Sequence, residues 1–358
     1  LTWCVDILRE ILNENRLKAR VAVISAEIDK ETVLESYLKN EIEPLDFVPE
    51  LKKDDITGST RIVAQMGMGP IMESLEKGAE IIIAGRCYDP AVFAAVPVSK
   101  GYEAGLALHM GKILECASIA SDPGSGSDCM MGVISEGGFK VFPLNDDRKC
   151  TVMSVAAHTL YEKSNPYMLH GPDGIIDLNK CSFSQLDDRT VGVTGTAFIF
   201  SEKPMIKLEG ARKTGYRTIS IAGVRDPVMI DGLDDIMEYV RETVAKQFKR
   251  IEAEYTLAFR IYGRDGVMGC NEPSKFVSHE VGIIIEAVAN TQDEANSICS
   301  FARSTMLHYG YPGRISTAGN LAFPYSPSDI KTGEVYEFCI YHLMPLKDRM
   351  FEIEWMEV

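Results

Sequence analysis

Four side chains that can do chemistry follow a strand-like run near residue 85. Residues 80–84 have the composition of a short buried strand, which ends at Gly85. The next positions carry a guanidinium, a thiol, a phenol and a carboxylate: Arg86, Cys87, Tyr88 and Asp89. In open α/β sheets, ligands bind outside the carboxyl ends of the strands. We therefore expect a ligand site at this position.

The chemistry of each group suggests a role. A guanidinium presents paired donors that match a carboxylate, so Arg86 is expected to hold an anionic ligand, with Tyr88 as a second binding residue. Asp89 is a candidate catalytic residue that moves a proton. The structural alternative is that Arg86 and Asp89 only pair with each other and cap the next helix.

A second reactive group shares one face of a predicted helix over residues 105–120. His109, Lys112 and Cys116 are spaced i, i+3 and i+7, which places them on one side of the helix. Imidazole exchanges protons near neutral pH, so His109 is a candidate catalytic residue, and a nearby ammonium binds an anion or favours a thiolate. The alternative is that His109 and Cys116 are buried core residues.

A third group lies in a predicted helix over residues 154–163, where Ser154, His158 and Glu162 are spaced four apart. His158 and Glu162 are candidate catalytic residues, since such a pair serves as an acid–base couple or as half of a metal site. The alternative is a surface pair that adds only slightly to stability. The chain has no HExxH pattern, so no metal site is predicted.

Two loops complete the predicted site. Gly126, Ser127 and Asp128 lie in a loop of small residues, whose backbone N–H groups are able to wrap an anion. Arg314 and Asn320 lie in a loop dense in Gly, Pro and aromatic residues, which we expect to close on the first domain or on a partner subunit. The alternatives are a flexible turn and a structural crossover, respectively.

The elements that must position these residues alternate between strand and helix over the first 90 residues. Strand-like runs at 21–25 and 80–84 are separated by helical spacing, a pattern typical of a parallel doubly wound, Rossmann-like α/β sheet. Further along, the order becomes strand, helix, strand, strand, helix, strand, which is typical of a smaller α+β ferredoxin-like domain. The predicted domains are 1–205, which carries the site, and 206–358.

Composition narrows the class of protein. The chain of 358 residues is long enough for two domains, and its net charge of −15 argues against nucleic acid or a membrane surface as a partner. Nine scattered cysteines without a CxxC pair are typical of a reduced, cytoplasmic protein. The first residue is Leu rather than Met, so we expect the natural N-terminus to lie upstream.

Several segments, taken in order, resemble the acyclic terpene utilisation (AtuA-like) protein family. The matching motifs, which are spread over nearly the whole chain, are found at residues 77–89, 109–116, 154–162, 171–178 and 319–324. Cys87 and Tyr88 depart from the aliphatic or small residues expected after the Gly-Arg pair, which indicates a divergent branch. The resemblance implies a place in pathways that process branched carboxylates through their CoA thioesters. It also implies a small partner subunit.

Together these observations favour an enzyme that acts on a small carboxylate or its CoA thioester by acid–base chemistry, as a hydratase, lyase or isomerase. Such chemistry needs proton-handling groups and an anion clamp but no redox cofactor, and the sequence identifies no cofactor. We expect an anionic metabolite or acyl-CoA as ligand and a homo-oligomer as the assembly. The alternatives are a non-catalytic ligand-binding or scaffold subunit and, less favoured, a nicotinamide oxidoreductase, for which the GxGxxG fingerprint is missing.

Overall fold

The computed structural model describes residues 1–45, 47–249, 254–315 and 317–357. The chain divides into two compact units, Leu1–Ala211 with Phe338–Val358, and Arg212–Glu337. The C-terminal segment therefore groups with the first unit, whereas the predicted division placed all of 206–358 in one domain.

The first unit begins with alternating helices and strands and continues with short strands. Its elements in chain order are α1 (Thr2–Glu14), β1 (Arg20–Ile24), α2 (Lys30–Leu38), β2 (Glu43–Pro44), α3 (Lys53–Gly58), β3 (Arg61–Ala64), α4 (Gly69–Glu76), β4 (Ile81–Ala84), α5 (Asp89–Ser99), α6 (Ala104–Leu114), β5 (Met130–Ser135), β6 (Gly138–Pro143), α7 (Val152–Thr159), β7 (Met168–Gly171), β8 (Gly174–Asp177), β9 (Ser182–Gln185), β10 (Val191–Thr194) and β11 (Ala197–Phe200).

The remaining elements begin with a long strand that has residues in both units. They are β12 (Met205–Val224), α8 (Pro227–Asp231), α9 (Leu233–Phe248), β13 (Tyr255–Tyr262), β14 (Val281–Ala289), α10 (Gln292–Leu307), β15 (Asp329–Pro345) and β16 (Ile353–Glu357). Among the described residues, every helix is too short or too polar to cross a bilayer.

The predicted fold class is wrong, because the first unit is not built on a parallel doubly wound, Rossmann-like sheet. β1 pairs in parallel with β4, with Val21 opposite Ile81. Its other edge pairs antiparallel with β16, where Arg20 faces Glu357. The strands from β5 to β11 pair antiparallel, in the orders β5-β6-β10-β9 and β11-β8-β7. The protein is a mixed α/β protein with mostly antiparallel sheets.

The pairing of β3 explains part of the difference between the predicted and the observed sheets. β3 lies between β1 and β4 in the chain, but it pairs antiparallel with residues 208–211 of β12 instead of joining their sheet. Exposed Arg61 alternates with buried Ile62, which is typical of a strand with one buried face. Ile62 packs in a core with Leu208, so burial of this face favours the distant partner.

Short strands, β5 to β11, lie on both sides of α7 in residues 130–200, where the sequence indicates only one strand, over residues 187–200, besides the helix. Gly137 makes the β5–β6 turn at φ 79°, a conformation that glycine adopts without steric cost. The predicted strand over 187–200 is divided into β10 and β11, which belong to different sheets. Gly195 separates them at φ 78°, and a Cβ there would lie 2.0 Å from the Lys180 carbonyl oxygen.

Two predicted helices are shorter than expected. α6 ends at Leu114, and a 3₁₀ turn over Ala117–Ala120 follows it. α7 begins with a reciprocal capping box, in which the Thr151 and Ser154 hydroxyls each accept from the other's backbone N–H at 3.0 Å. It ends at Thr159, so the residues beyond this point are not on a helical face.

α6 is the buried helix of the first unit. All residues from Gly105 to Ile113 are buried, and Lys112 is among them. A Cβ at Gly111 would lie 2.5 Å from the Pro90 carbonyl oxygen, so glycine allows α5 to pack closely here. Side chains on α6 are therefore held by packing on several sides.

The second unit follows the element order that the sequence indicated. Its sheet has the order β13-β14-β12-β15, and β14 pairs antiparallel with both β13 and β12. Residues of α9 and α10 pack against Ile283 and Ile285 in one core. α9 spans residues 233–248 and β13 spans residues 255–262, a helix and a strand in the predicted order.

Candidate active site

Four of the predicted site residues lie together at one cavity of the first unit: Arg86, Tyr88, Asp89 and Glu162. The cavity has a volume of about 1010 Å³, at the upper end of the range of roughly 300–1,000 Å³ that ligand pockets span. Its wall is formed by the β4–α5 turn, the end of α6, the segment after α7, the β7–β8 hairpin and strands β11, β12 and β15.

The cavity concentrates positive charge in an acidic chain. Its lining includes five cations, Arg86, Lys112, Lys163, Lys203 and Lys207, and three carboxylates, Asp89, Glu115 and Glu162. The whole chain has a net charge of −15, so this local excess of cations is opposite in sign to the rest of the surface. A cleft in which one sign of charge is in excess raises the local concentration of ligands of the other sign.

Part of the cavity wall is apolar. Ile175 of β8 and Ile199 and Phe200 of β11 line it, together with Met168 and Met205. Phe200 is 66% exposed and Ile199 47% exposed, so both apolar side chains are accessible at the cavity. Apolar walls with a few polar groups are typical of ligand pockets, so the wall provides a surface for an apolar portion of a ligand.

Arg86 is held in place by two carboxylates. Its Nε donates to Glu209 at 2.9 Å, and its Nη1 donates to Asp89 at 3.2 Å and to the Cys87 carbonyl at 2.8 Å. Glu209 also pairs with Lys207 at 2.8 Å. Burial alone would raise the pKa of Glu209, but the two cations hold it below its usual value. The Arg86–Asp89 pair of the structural alternative is present, but Arg86 also pairs with Glu209, and no side chain of the described residues caps the start of α5.

A nearly buried ion pair joins Lys112 and Glu115 at the cavity. Their side chains are 3% and 10% exposed, and the ammonium of Lys112 hydrogen-bonds the Glu115 carboxylate. Burial raises the pKa of Glu115, although the charge of Lys112 opposes this shift. A buried carboxyl group with a raised pKa is a candidate proton donor.

Lys163 and Tyr88 contact each other across the same cavity. The ammonium of Lys163 lies 5.4 Å from the centre of the Tyr88 ring and donates to the His170 carbonyl at 3.5 Å. Burial and the nearby Lys112 lower the pKa of Lys163. Tyr88 is buried, which raises its pKa, and its hydroxyl has no hydrogen-bond partner among the described residues.

His158 and Glu162 do not share a helical face, because α7 ends at Thr159. Glu162 is exposed and lines the cavity, with φ 58°, a conformation that is uncommon for residues other than glycine. His158 is buried and stacks on Tyr161 at 5.4 Å between ring centres. Burial and the charge of Lys112 lower its pKa, and its Nε2 has no partner among the described residues.

His109 lies in the core and is not among the cavity residues. Its Nδ1 is 2.8 Å from the Thr196 hydroxyl and its Nε2 2.9 Å from the Thr159 hydroxyl, so both ring nitrogens are satisfied. The ring packs edge-on against Phe139 and Phe183. Burial lowers its pKa to about 3. The arrangement is that of a structural core histidine.

The two loops that were expected to complete the site do not line this cavity. In the Gly126–Ser127–Asp128 turn, Asp128 forms an ion pair with Arg148 and accepts from Asn145 at 3.1 Å, and the turn is not part of the cavity wall. In the second unit, Arg314 Nε donates to Asn320 at 2.5 Å. These two residues line a separate cavity of about 780 Å³ within that unit.

The sequence interpretation did not select Lys163, Lys207, Glu115 or Glu209 as site residues. A signal existed for Glu115, which stands three positions after Lys112 on an otherwise apolar helix. Lys163 is the last residue of a predicted helix and resembles an ordinary solvated lysine. Glu209 and Lys207 lie on a strand whose pairing the sequence did not reveal, and no local pattern identifies them.

The arrangement of metal-ligating side chains and the comparisons with known proteins both bear on what the site can do. Among the described residues, no group of three or more His, Cys, Asp or Glu side chains is arranged to hold a metal ion. Residues 2–326 match the model of the family described as acyclic terpene utilisation family protein AtuA. No curated protein and no solved structure matches the chain.

Proposed function

This chain belongs to the acyclic terpene utilisation family AtuA, and from the role in acyclic terpene utilisation that this membership indicates we propose that it is an enzyme of carboxylate or terpenoid catabolism. Its substrate is a small branched carboxylate or the CoA thioester of one. The reaction is acid–base chemistry of the hydratase, lyase or isomerase type.

One observation carries this proposal: the cavity combines an excess of cations with an apolar wall, in a chain that is otherwise strongly acidic. A ligand that satisfies both surfaces has an anionic end and an apolar end. A branched carboxylate, as expected in the use of acyclic terpenes, has this chemistry. Purely polar anions would leave Ile199 and Phe200 exposed to water.

The carboxyl groups at the cavity are the proposed proton handlers. Addition or elimination of water beside a carboxyl or thioester group needs one group that accepts a proton and one that donates it. Asp89 is 58% exposed and paired with Arg86, which suits an ionised base, and Glu162 offers a second one. Burial raises the pKa of Glu115, so its protonated form is the proposed acid, whereas its ionised form pairs with Lys112. His109 takes no part, because it lies in the core.

A turnover assay tests this function. The protein is incubated with a panel of branched carboxylates and their CoA thioesters, and products that have gained or lost one water, or isomerised, are followed by chromatography and mass spectrometry. Glu115→Gln is expected to lower turnover by about a hundredfold or more, the contribution typical of a general acid. The control Glu136→Gln, in an exposed turn, is expected to retain activity.

Arg86→Ala provides a second test of the same proposal, because Arg86 orders two of the carboxylates at the cavity. A loss of tenfold or less in a folded Arg86→Ala protein would count against its role. Binding without turnover across the whole panel would contradict the enzyme and favour the non-catalytic ligand-binding subunit.

A further inference from the structure

Two groups at the cavity lack the partners that their chemistry requires, and they lie against each other. Lys163 has no carboxylate partner among the described residues, and the buried Tyr88 hydroxyl has no hydrogen-bond partner among them. We propose that these two groups bind the acid group of the ligand. The Lys163 ammonium pairs with the ligand carboxylate and the Tyr88 hydroxyl donates a hydrogen bond to it. This inference rests on the proposed function, since it places that ligand.

The other deeply placed cations are already neutralised by protein carboxylates. Arg86 and Lys207 share Glu209, at 2.9 and 2.8 Å. Lys112 is bound to Glu115. An anion that approached these cations would compete with a carboxylate already in place, whereas Lys163 holds only a carbonyl oxygen at 3.5 Å. Lys203 also lines the cavity but is exposed, so among the described residues Lys163 is the partly buried cavity cation that has no carboxylate partner.

The Tyr88 hydroxyl provides an independent indication. A buried hydroxyl without a partner lowers the stability of the folded protein, so a native protein that keeps one has a use for it. The Tyr88 ring packs directly against Gly171. A Cβ at residue 171 would lie 2.9 Å from Cε1 of Tyr88, so glycine leaves the room that the ring needs. The ammonium sits over the ring face at 5.4 Å, within the range of a cation–π contact. Lys163 and Tyr88 both line the cavity, so we place one ligand carboxylate against both groups.

The strand register around this position sets the direction of the ligand tail. The His170 carbonyl, which contacts Lys163, belongs to β7, where His170 faces Ile175 of β8. Ile175 in turn faces Ile199 of β11. Two strand spacings of about 4.8 Å each separate the first residue of this row from the last. A ligand held at Lys163 can lay an extended apolar tail of about 10 Å across these two isoleucines.

A matched pair of ligands tests this placement by isothermal titration calorimetry. 7-Methyloctanoate and 7-methyloctanamide share one branched tail and differ in charge at the head. The wild-type protein is expected to prefer the carboxylate by roughly tenfold or more. Lys163→Met is expected to abolish this preference, and Tyr88→Phe to reduce carboxylate affinity about three- to tenfold. Lys100→Met, which removes the same charge from an exposed position outside the cavity, is expected to keep the preference.

Thermal unfolding without ligand supplies a second readout. Because the Tyr88 hydroxyl has no partner in the protein, Tyr88→Phe is expected to melt at or above the wild-type temperature. A lower melting temperature would show that the hydroxyl is already bonded and would overturn the inference. A preference for the carboxylate that survives in both Lys163→Met and Tyr88→Phe would also overturn the inference. The proposed function would not be affected by that result. If neither ligand binds the wild-type protein, the proposed function itself fails, and this inference with it.

Discussion

Removing only one member of the Lys112–Glu115 pair is expected to destabilise the protein more than removing both. The pair is almost inaccessible, with side chains 3% and 10% exposed. Lys112→Met leaves the Glu115 carboxylate in the interior without its counter-charge, and an unpaired buried charge of this kind costs about 3–5 kcal/mol. In the double variant Lys112→Met/Glu115→Gln no charge is left buried, so we expect most of this loss to be recovered.

The loss of stability caused by Lys112→Met should depend on pH in a defined direction. Burial already raises the pKa of Glu115 above its ordinary value of 4.5, and removal of Lys112 raises it further. The folded state then binds more protons than the unfolded state between the two pKa values. Glu115 contributes its full stabilisation at pH values below its pKa in the unfolded state. This contribution is lost as pH rises through its pKa in the folded state. Lys112→Met should therefore be least destabilising near pH 4 and most destabilising near pH 8.

Urea unfolding at several pH values measures these free energies. The exposed pair Lys77–Glu73, at 2.6 Å and about half exposed on both sides, serves as the control. Lys77→Met is expected to change the free energy of unfolding by less than about 0.5 kcal/mol at every pH. The reasoning is refuted if Lys112→Met costs no more than Lys77→Met, or if the double variant is as unstable as the single one.

Two further predictions concern packing and protonation. Gly67→Ala should destabilise the protein by about 1–3 kcal/mol in urea unfolding. The new Cβ would lie 2.2 Å from the Asp173 carboxylate, which accepts a hydrogen bond from the Met68 N–H. Gly69→Ala is the control and should be close to neutral, because the space around Gly69 is open. His109 should stay neutral in NMR titrations from pH 8 to pH 5, because burial lowers its pKa to about 3; a ring that charges near pH 6.5 would contradict its placement in the core.

The second unit could be predicted well from the sequence. α9 over residues 233–248 is long and strongly periodic, and β13 over 255–262 is bounded by polar segments, so local patterns fix both. The first unit could not be predicted in the same way, because its strand pairing depends on distant partners. β16, near the C-terminus, supplies one edge of β1, and no pattern around Arg20 indicates this.

Residues of the site could likewise be predicted where a local pattern marks them, but not where their role depends on contacts with distant parts of the chain. Arg86 and Asp89 could be selected because they follow a strand directly. His109 drew attention as a polar residue on an apolar helix, but its partners Thr159 and Thr196 come from far along the chain and satisfy it in the core. Lys163 escaped notice because its position over Tyr88 arises only when α7 and the β4–α5 turn meet in the fold.

A crystal structure of the protein soaked with 7-methyloctanoate tests the central claim most directly, namely that this cavity takes an anion with an apolar tail. The account predicts ligand density in the cavity, with the carboxylate within hydrogen-bond distance of Lys163 and Tyr88 and the tail against Ile175 and Ile199. An empty cavity at saturating ligand, or a ligand bound with its tail in solvent, would contradict it.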